Sequence, residues 1–293
     1  MLTFRQLRRC AAVTLFTFSV ATPAFAQPAL WVVKNAQSTI YLFGTVHLLP
    51  SDANWRYPAL DKALAASDSL TIELTDDNPA NMQALVLQYG VDTTHPLSGQ
   101  LSAAENATLA KAAQAADVPG GVQTLEIMRP WLAALTLAIA PLVKAGLDPA
   151  QGVDKLLQAQ MVKAGKPVNG LETSEQQIRF LSDLPSSLQL DFLRDTLHDV
   201  DKDSSELTGL IDAWKAGDTD AIARLEDEDV RKESPELYRT LIVDRNKAWA
   251  EKIAALLRHP GTVFIAVGAA HLAGPDSVQT QLRQMGVDSV RLP

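Results

Sequence analysis

The chain has 293 residues, 47% of them hydrophobic, with a formal net charge of −8 at pH 7, enough apolar material for an ordinary buried core. That acidity argues against nucleic acid and anionic membrane surfaces as partners. The single cysteine, Cys10, rules out an intrachain disulfide and a cysteine-rich zinc site.

Residues 1–26 have the grammar of a secretory leader. Arg5, Arg8 and Arg9 form a positive start, Cys10 to Val20 an apolar stretch, and Ala24-Phe25-Ala26 a small-residue cleavage site before Gln27. The apolar stretch is too short for a permanent anchor, so the expectation is a periplasmic or secreted protein with no stable membrane anchor after cleavage. Loss of the three arginines takes the formal charge from −8 to −11 and leaves no thiol.

Leu30 to Val33 and Thr39 to Phe43 predict two strands joined by a hairpin. Gly44 is expected to break the second strand, and His47 follows. Trp55 to Ala66 carries Tyr57, Leu60 and Leu64 at helical spacing. Ser69 to Leu74 is the next strand, with Glu73 at its carboxyl end. Strand, helix, strand in that order predicts a crossover that sets the two strands parallel.

From about residue 79 to 234 strand signals nearly vanish, and a large helical insertion is expected. Pro130 to Val143 is uncharged and predicts a buried helix. Gly152 to Ala164 predicts another, followed by a short strand at Pro167 to Leu171. The acidic run Glu226 to Asp229 is expected to be a solvated face. Asp199, Asp201 and Asp203 fail the calcium-loop pattern, since Ser204 and Leu210 stand where glycine and glutamate belong.

Pro235 to Leu257 predicts a long helix containing Arg245, and Thr262 to Val267 a central apolar strand. Gly268, Ala269, Ala270 and His271 then repeat the glycine-x-x-histidine order of Gly44 to His47. A helix from Gly274 to Met285, capped by Gly286, and a strand from Val287 to Leu292 complete the chain. The fold class expected is α/β, with a mixed, mainly parallel sheet built from both chain ends and interrupted by the helical insertion.

Ligands in open α/β sheets bind beyond the carboxyl ends of the strands. His47, Glu73 and His271 are all expected there, and two imidazoles with a carboxylate can hold a divalent ion and leave positions for water. The same three could run acid–base chemistry without metal. Arg245 can anchor a substrate carboxylate or an oxyanion; the plainer reading is a helix salt bridge to Asp244 or Glu251. Glu172 either reaches the site or caps a helix. His95, His198 and His259 sit in loop-like or helix-end contexts and are expected to be exposed and idle.

The segments YLFGTVHLLP, TIELT, RPWLAALTL, GLDPAQGVDKLL, AGKPVNGLETSEQQ, DRNKAWAEKI and VFIAVGAAHLAGPDSV resemble the TraB/GumN family over essentially the whole mature chain, 27–293. That resemblance implies an EreA/ChaN-like fold, with His47, Glu73 and His271 as the active group and Arg245 a further member. It also implies metal-dependent proteolysis with manganese or cobalt, as in TIKI-type relatives. The expected function is a hydrolase of peptide or amide bonds using Mn, Co or Zn, on a peptide or small-molecule substrate. A metal-free histidine–glutamate hydrolase and a non-catalytic haem- or metal-binding protein are the alternatives.

Overall fold

The computed structural model of the protein describes residues 27–293 except 51, 200–204 and 227. The leader, Asp201, Asp203 and part of the Glu226–Asp229 run therefore lie outside the described residues. Six strands form one sheet: β1 (Leu30–Lys34), β2 (Ser38–Thr45), β3 (Ser69–Ile72), β4 (Val168–Gly170), β5 (Gly261–Gly268) and β6 (Val290–Arg291). Their order is β4-β3-β5-β2-β1-β6. β5 runs parallel to both β2 and β3, β3 runs parallel to β4, and β1 is antiparallel to β2 and β6. The fold is α/β with a mixed, mainly parallel sheet and substantial helix, as the alternation of elements predicts.

The crossover from β2 through the Pro58–Ala66 helix to β3 does give parallel strands, but β5 lies between them. β5 is flanked on both sides by strands from the other end of the chain, which suits its almost wholly apolar sequence. Side chains of period two feed two separate layers. Phe43, Ile72, Phe264 and Ala266 pack with Leu60, Leu64 and Leu157 of the Pro58–Ala66 and Val153–Lys163 helices. Leu42, Ile265 and Val267 pack with Trp249, Ile253 and Leu282 of the Asp244–Leu256 and Val278–Gln284 helices.

Several boundaries differ from expectation. β2 does not end at Gly44: it continues to Thr45, because Gly44 and Thr45 pair with Val267 and Gly268 of β5. Gly44 serves a close approach instead, since a Cβ there would stand 3.1 Å from the Ala269 Cα. β3 ends at Ile72, leaving Glu73 just past it. The first helix starts at Pro58, not Trp55. Trp55 and Tyr57 are nevertheless buried, and Tyr57 bonds the Pro28 carbonyl at 2.7 Å. The last helix starts at Val278, after the positive-φ turn at Gly274 (φ 71°). β6 is two residues long.

The insertion has apolar clusters of its own. One gathers Leu97, Leu109, Leu125, Leu137 and Leu193, another Leu85, Trp131 and Ile178. The Pro130–Lys144 helix is buried mainly in its first half, while Ile139 and Val143 are 38% and 47% exposed. Among the described residues no helix is long and apolar enough to cross a membrane.

The insertion is also stapled to the sheet. Trp214, on the Ser205–Ala216 helix, is fully buried. It packs on Phe43 and Trp55 and donates its indole N–H to the Gly44 carbonyl at 2.8 Å. Trp214→Ala is expected to cost about 3–5 kcal/mol from the cavity left behind, read as a lowered urea midpoint in a single transition. A second, separate transition would show that the insertion folds apart from the sheet.

Candidate functional site

The register fixes the site. Thr45 of β2 lies opposite Gly268 of β5, so the two glycine-x-x-histidine turns leave the same sheet edge side by side. Glu73 joins them from β3, on the other flank of β5. Gly268 stands at the centre: a methyl group added to it would lie 3.3 Å from Glu73 Oε1, 3.5 Å from His47 Nε2 and 3.5 Å from His271 Cδ2. One small space is therefore walled by the two histidines and the glutamate.

Arg245 ties the group together. Its Nη2 donates to Glu73 Oε2 at 2.7 Å and to Glu172 Oε2 at 2.8 Å. Its Nε donates to Glu172 Oε1 at 3.0 Å. Its Nη1 donates to His271 Nε2 at 3.1 Å and to the Leu241 carbonyl at 3.3 Å. All five guanidinium N–H groups are thus engaged, and none is left for a substrate. Neither Asp244 nor Glu251 is its partner, for Asp244 bonds Arg239 at 3.0 Å. A π-helical turn, Arg239–Val243, precedes Arg245 in the chain and supplies the Leu241 carbonyl.

Glu172 belongs to this network and caps no helix. The cap of the Ser174–Ser182 helix is Thr173, in a reciprocal pair with Gln176. Glu172 also accepts from the Trp249 indole at 2.8 Å. Gln177 bridges the two carboxylates, donating to Glu73 Oε2 at 2.9 Å and Glu172 Oε2 at 3.0 Å.

The two histidines differ in kind. His271 is 5% exposed, and Trp249 lies against its ring with centroids 4.4 Å apart. The Asn246 amide donates Nδ2 to the Asp276 carbonyl at 2.9 Å, so its Oδ1 faces His271 Nδ1 at 2.7 Å and must accept. The proton is therefore on Nδ1, and Nε2 receives one from Arg245. Burial and the adjacent guanidinium push this imidazole down to about 3, which keeps it neutral.

His47 is open, its side chain 57% exposed, with Nδ1 3.2 Å from Asp154 Oδ1. Crowding of the ring works against its charge. The Asp154 bond and the negative charges of Glu73 and Asp154 outweigh that, and raise it to about 9. Glu73 is raised by burial, but His271, Arg245, His47 and the Gly268 N–H (2.7 Å from Oε1) bring it down to about 2.

The four residues expected from sequence, His47, Glu73, Arg245 and His271, do meet at one place, and Glu172 joins them. Asp154, Gln177, Asn246 and Trp249 escaped sequence reasoning. Only their spacing from the strand-end motifs in a folded chain marks them out. His198 and His259 are exposed, and exposed His95 bonds Asp92 at 2.9 Å.

A family model described as the TraB/PrgY/gumN family matches residues 29–291. The chain belongs to the TraB/PrgY/gumN family. It is 27% identical over 266 residues to the uncharacterized protein YbaP of Escherichia coli K12, covering 88% of this chain and 93% of that one. The same figures hold for YbaP of Shigella flexneri. No solved structure matches the chain.

For a divalent ion the donors fit in part. His47 Nε2 and Glu73 Oε1 face the space over Gly268, but His271 Nε2 already takes a proton from Arg245. As arranged, the three residues do not present three free donors to one ion. Among the described residues no group of three or more histidine, cysteine, aspartate or glutamate side chains is placed to hold one.

Two outcomes follow from this geometry. Arg245→Met leaves two buried carboxylates without their cation and is expected to cost about 3–5 kcal/mol. Arg245→Lys should recover little of it, because three donors on one nitrogen cannot span Glu73, Glu172 and His271; both are read from urea midpoints. Separately, the His47 ring should titrate near pH 9 by NMR, and Asp154→Asn should move it toward its ordinary 6.5. Because folding raises it, the stability it adds is complete below pH 6.5 and disappears as pH rises through about 9.

Proposed function

We propose that this protein is a hydrolase of peptide or amide bonds in which His47 carries the proton. The observation behind this reading is one imidazole nitrogen, His47 Nε2, open beside Glu73 Oε1 while Asp154 holds the other nitrogen. A base held in one orientation by a carboxylate is what general acid–base catalysis needs. Neutral His47 takes a proton from water at Nε2 as that water attacks the carbonyl, and returns it to the leaving nitrogen. Asp154 and Glu73 compensate the imidazolium in between. Glu73, held charged by Arg245 and the Gly268 N–H, orients the water and does not itself exchange protons. Arg245, with its donors spent, holds the frame and does not touch substrate. The insertion delivers Asp154 and Gln177 and so helps shape what can enter.

A metal-dependent version of this hydrolase is the second reading, favoured by the space over Gly268 that His47 Nε2 and Glu73 Oε1 both face. Those two residues would hold the ion, and His271 would join only by giving up Arg245. A divalent manganese, cobalt or zinc ion there would polarise the scissile carbonyl and acidify a bound water. Export to the periplasm or medium, with residues 1–26 as leader, belongs to the same proposal. The non-catalytic haem reading draws no support from His271, whose two nitrogens are both bonded.

The test is a panel of peptide, amide and ester substrates assayed with the pure protein across pH, before and after chelation. Below pH 9 kcat/KM should rise about tenfold per unit, because only neutral His47 is a base, and level off above it. Asp154→Asn should move that inflection to lower pH and lower the plateau. Activity abolished by chelator and restored by manganese, cobalt or zinc would favour the metal reading. Hydrolysis that survives His47→Ala unchanged would sink both.

A further inference from the structure

A cavity of about 590 Å³ opens beside β1 between the Thr219–Glu226, Glu228–Glu233 and Val278–Gln284 helices. Its size falls in the range of small-molecule sites. Arg224, Arg231 and Arg283 line it, with Trp31 and Leu272 on the apolar part of the wall. These arginines stand out within an acidic chain. Arg56, Arg179, Arg194, Arg239 and Arg245 are ion-paired with carboxylates. Arg129 and Arg291 bond backbone carbonyls. Among the described residues that leaves Arg224, Arg231, Arg258 and Arg283 without a hydrogen-bond or ion-pair partner, and three of these four share one cavity.

Two carboxylates lie on the same wall. Glu228 is already bonded to Lys232 at 2.6 Å, and Asp220 sits in the first turn of the Thr219–Glu226 helix. The ion pair of Glu228 is with Lys232, though Arg231 and Arg224 are near enough for their charges to help lower the Glu228 pKa.

Gln279 also lines the cavity and is 7% exposed. Its Nε2 donates to the Leu272 carbonyl at 3.0 Å, which fixes the amide and leaves Oε1 buried with no partner. A buried carbonyl oxygen without a donor costs free energy and calls for an explanation. That oxygen is shut off even from water, so it is a cost of packing the Val278–Gln284 helix against Leu272 and not a contact for a ligand.

We infer that this cavity binds a small molecule carrying an oxyanion, carboxylate or phosphate. The guanidiniums take the oxyanion in forked pairs, and Trp31 covers the apolar part. The inference does not depend on the hydrolase proposal, since His47, Glu73 and His271 bond to other side chains.

Calorimetric titration of the mature protein at low ionic strength, with inorganic phosphate and with N-acetylalanine, tests it. At least one probe should saturate one-to-one, and the tighter of the two identifies the oxyanion. Arg224→Gln and Arg283→Gln should each weaken it tenfold or more, whereas Arg258→Gln and His47→Ala leave it unchanged. Circular dichroism checks that these exposed substitutions keep the fold. Two results overturn the site: neither probe saturating at millimolar concentration, or binding weakened as much by Arg258→Gln as by the cavity substitutions.

Discussion

Everything at this sheet edge depends on one guanidinium with no donor to spare. Arg245 reaches Glu73 after β3, Glu172 after β4 and His271 after β5, so three strand ends are held to one planar group. A buried ion pair is weak evidence for net stability, because desolvation offsets much of the attraction. What it gives is geometry: a planar fork with fixed donor directions leaves its partners few ways to sit. Phe180 and Trp249 flank the guanidinium carbon at 5.4 and 4.7 Å, which limits its motion further.

The consequence is a division of labour between two histidines written in the same local grammar. His271 is sealed, neutral and bonded at both nitrogens, so it acts as part of the wall. His47 is open, its pKa raised by the carboxylates around it, and held at one nitrogen only. The difference lies in what packs around each. His271 falls under Trp249 and Asn246 of the Asp244–Leu256 helix, while His47 leaves β2 toward solvent and meets Asp154. Acid and base roles within one site commonly arise when environments push like groups apart in this way, and here the separation spans about 3 to about 9.

The fold explains why the site is assembled from distant parts of the chain. β5 must be central, because its apolar run has to be covered on both faces, and its neighbours β2 and β3 come from the opposite end of the chain. The insertion lies between β3 and β5 in sequence, and it contributes Asp154, Glu172 and Gln177 to the same edge. Trp214 binds it back to Gly44, so the segment that helps line the site is anchored to the strand that presents His47.

Periodicity and composition were enough to place the strands, the helical insertion and the strand-end positions of His47, Glu73 and His271, because those signals are local. The same local rules misplaced the ends of elements. Gly44 reads locally as the end of a strand that the β5 ladder carries on to Thr45, and Trp55 reads as part of a helix that Pro58 begins. Asp154 and Gln177 carried no local mark, since one aspartate or glutamine on a helix looks like any other until a partner more than a hundred positions away arrives. The roles of Arg245 and Glu172 were likewise open in the sequence. Which carboxylate a guanidinium meets, and which of two similar imidazoles keeps a free nitrogen, are decided by packing and by charge at close range, and these exist only once the chain has folded.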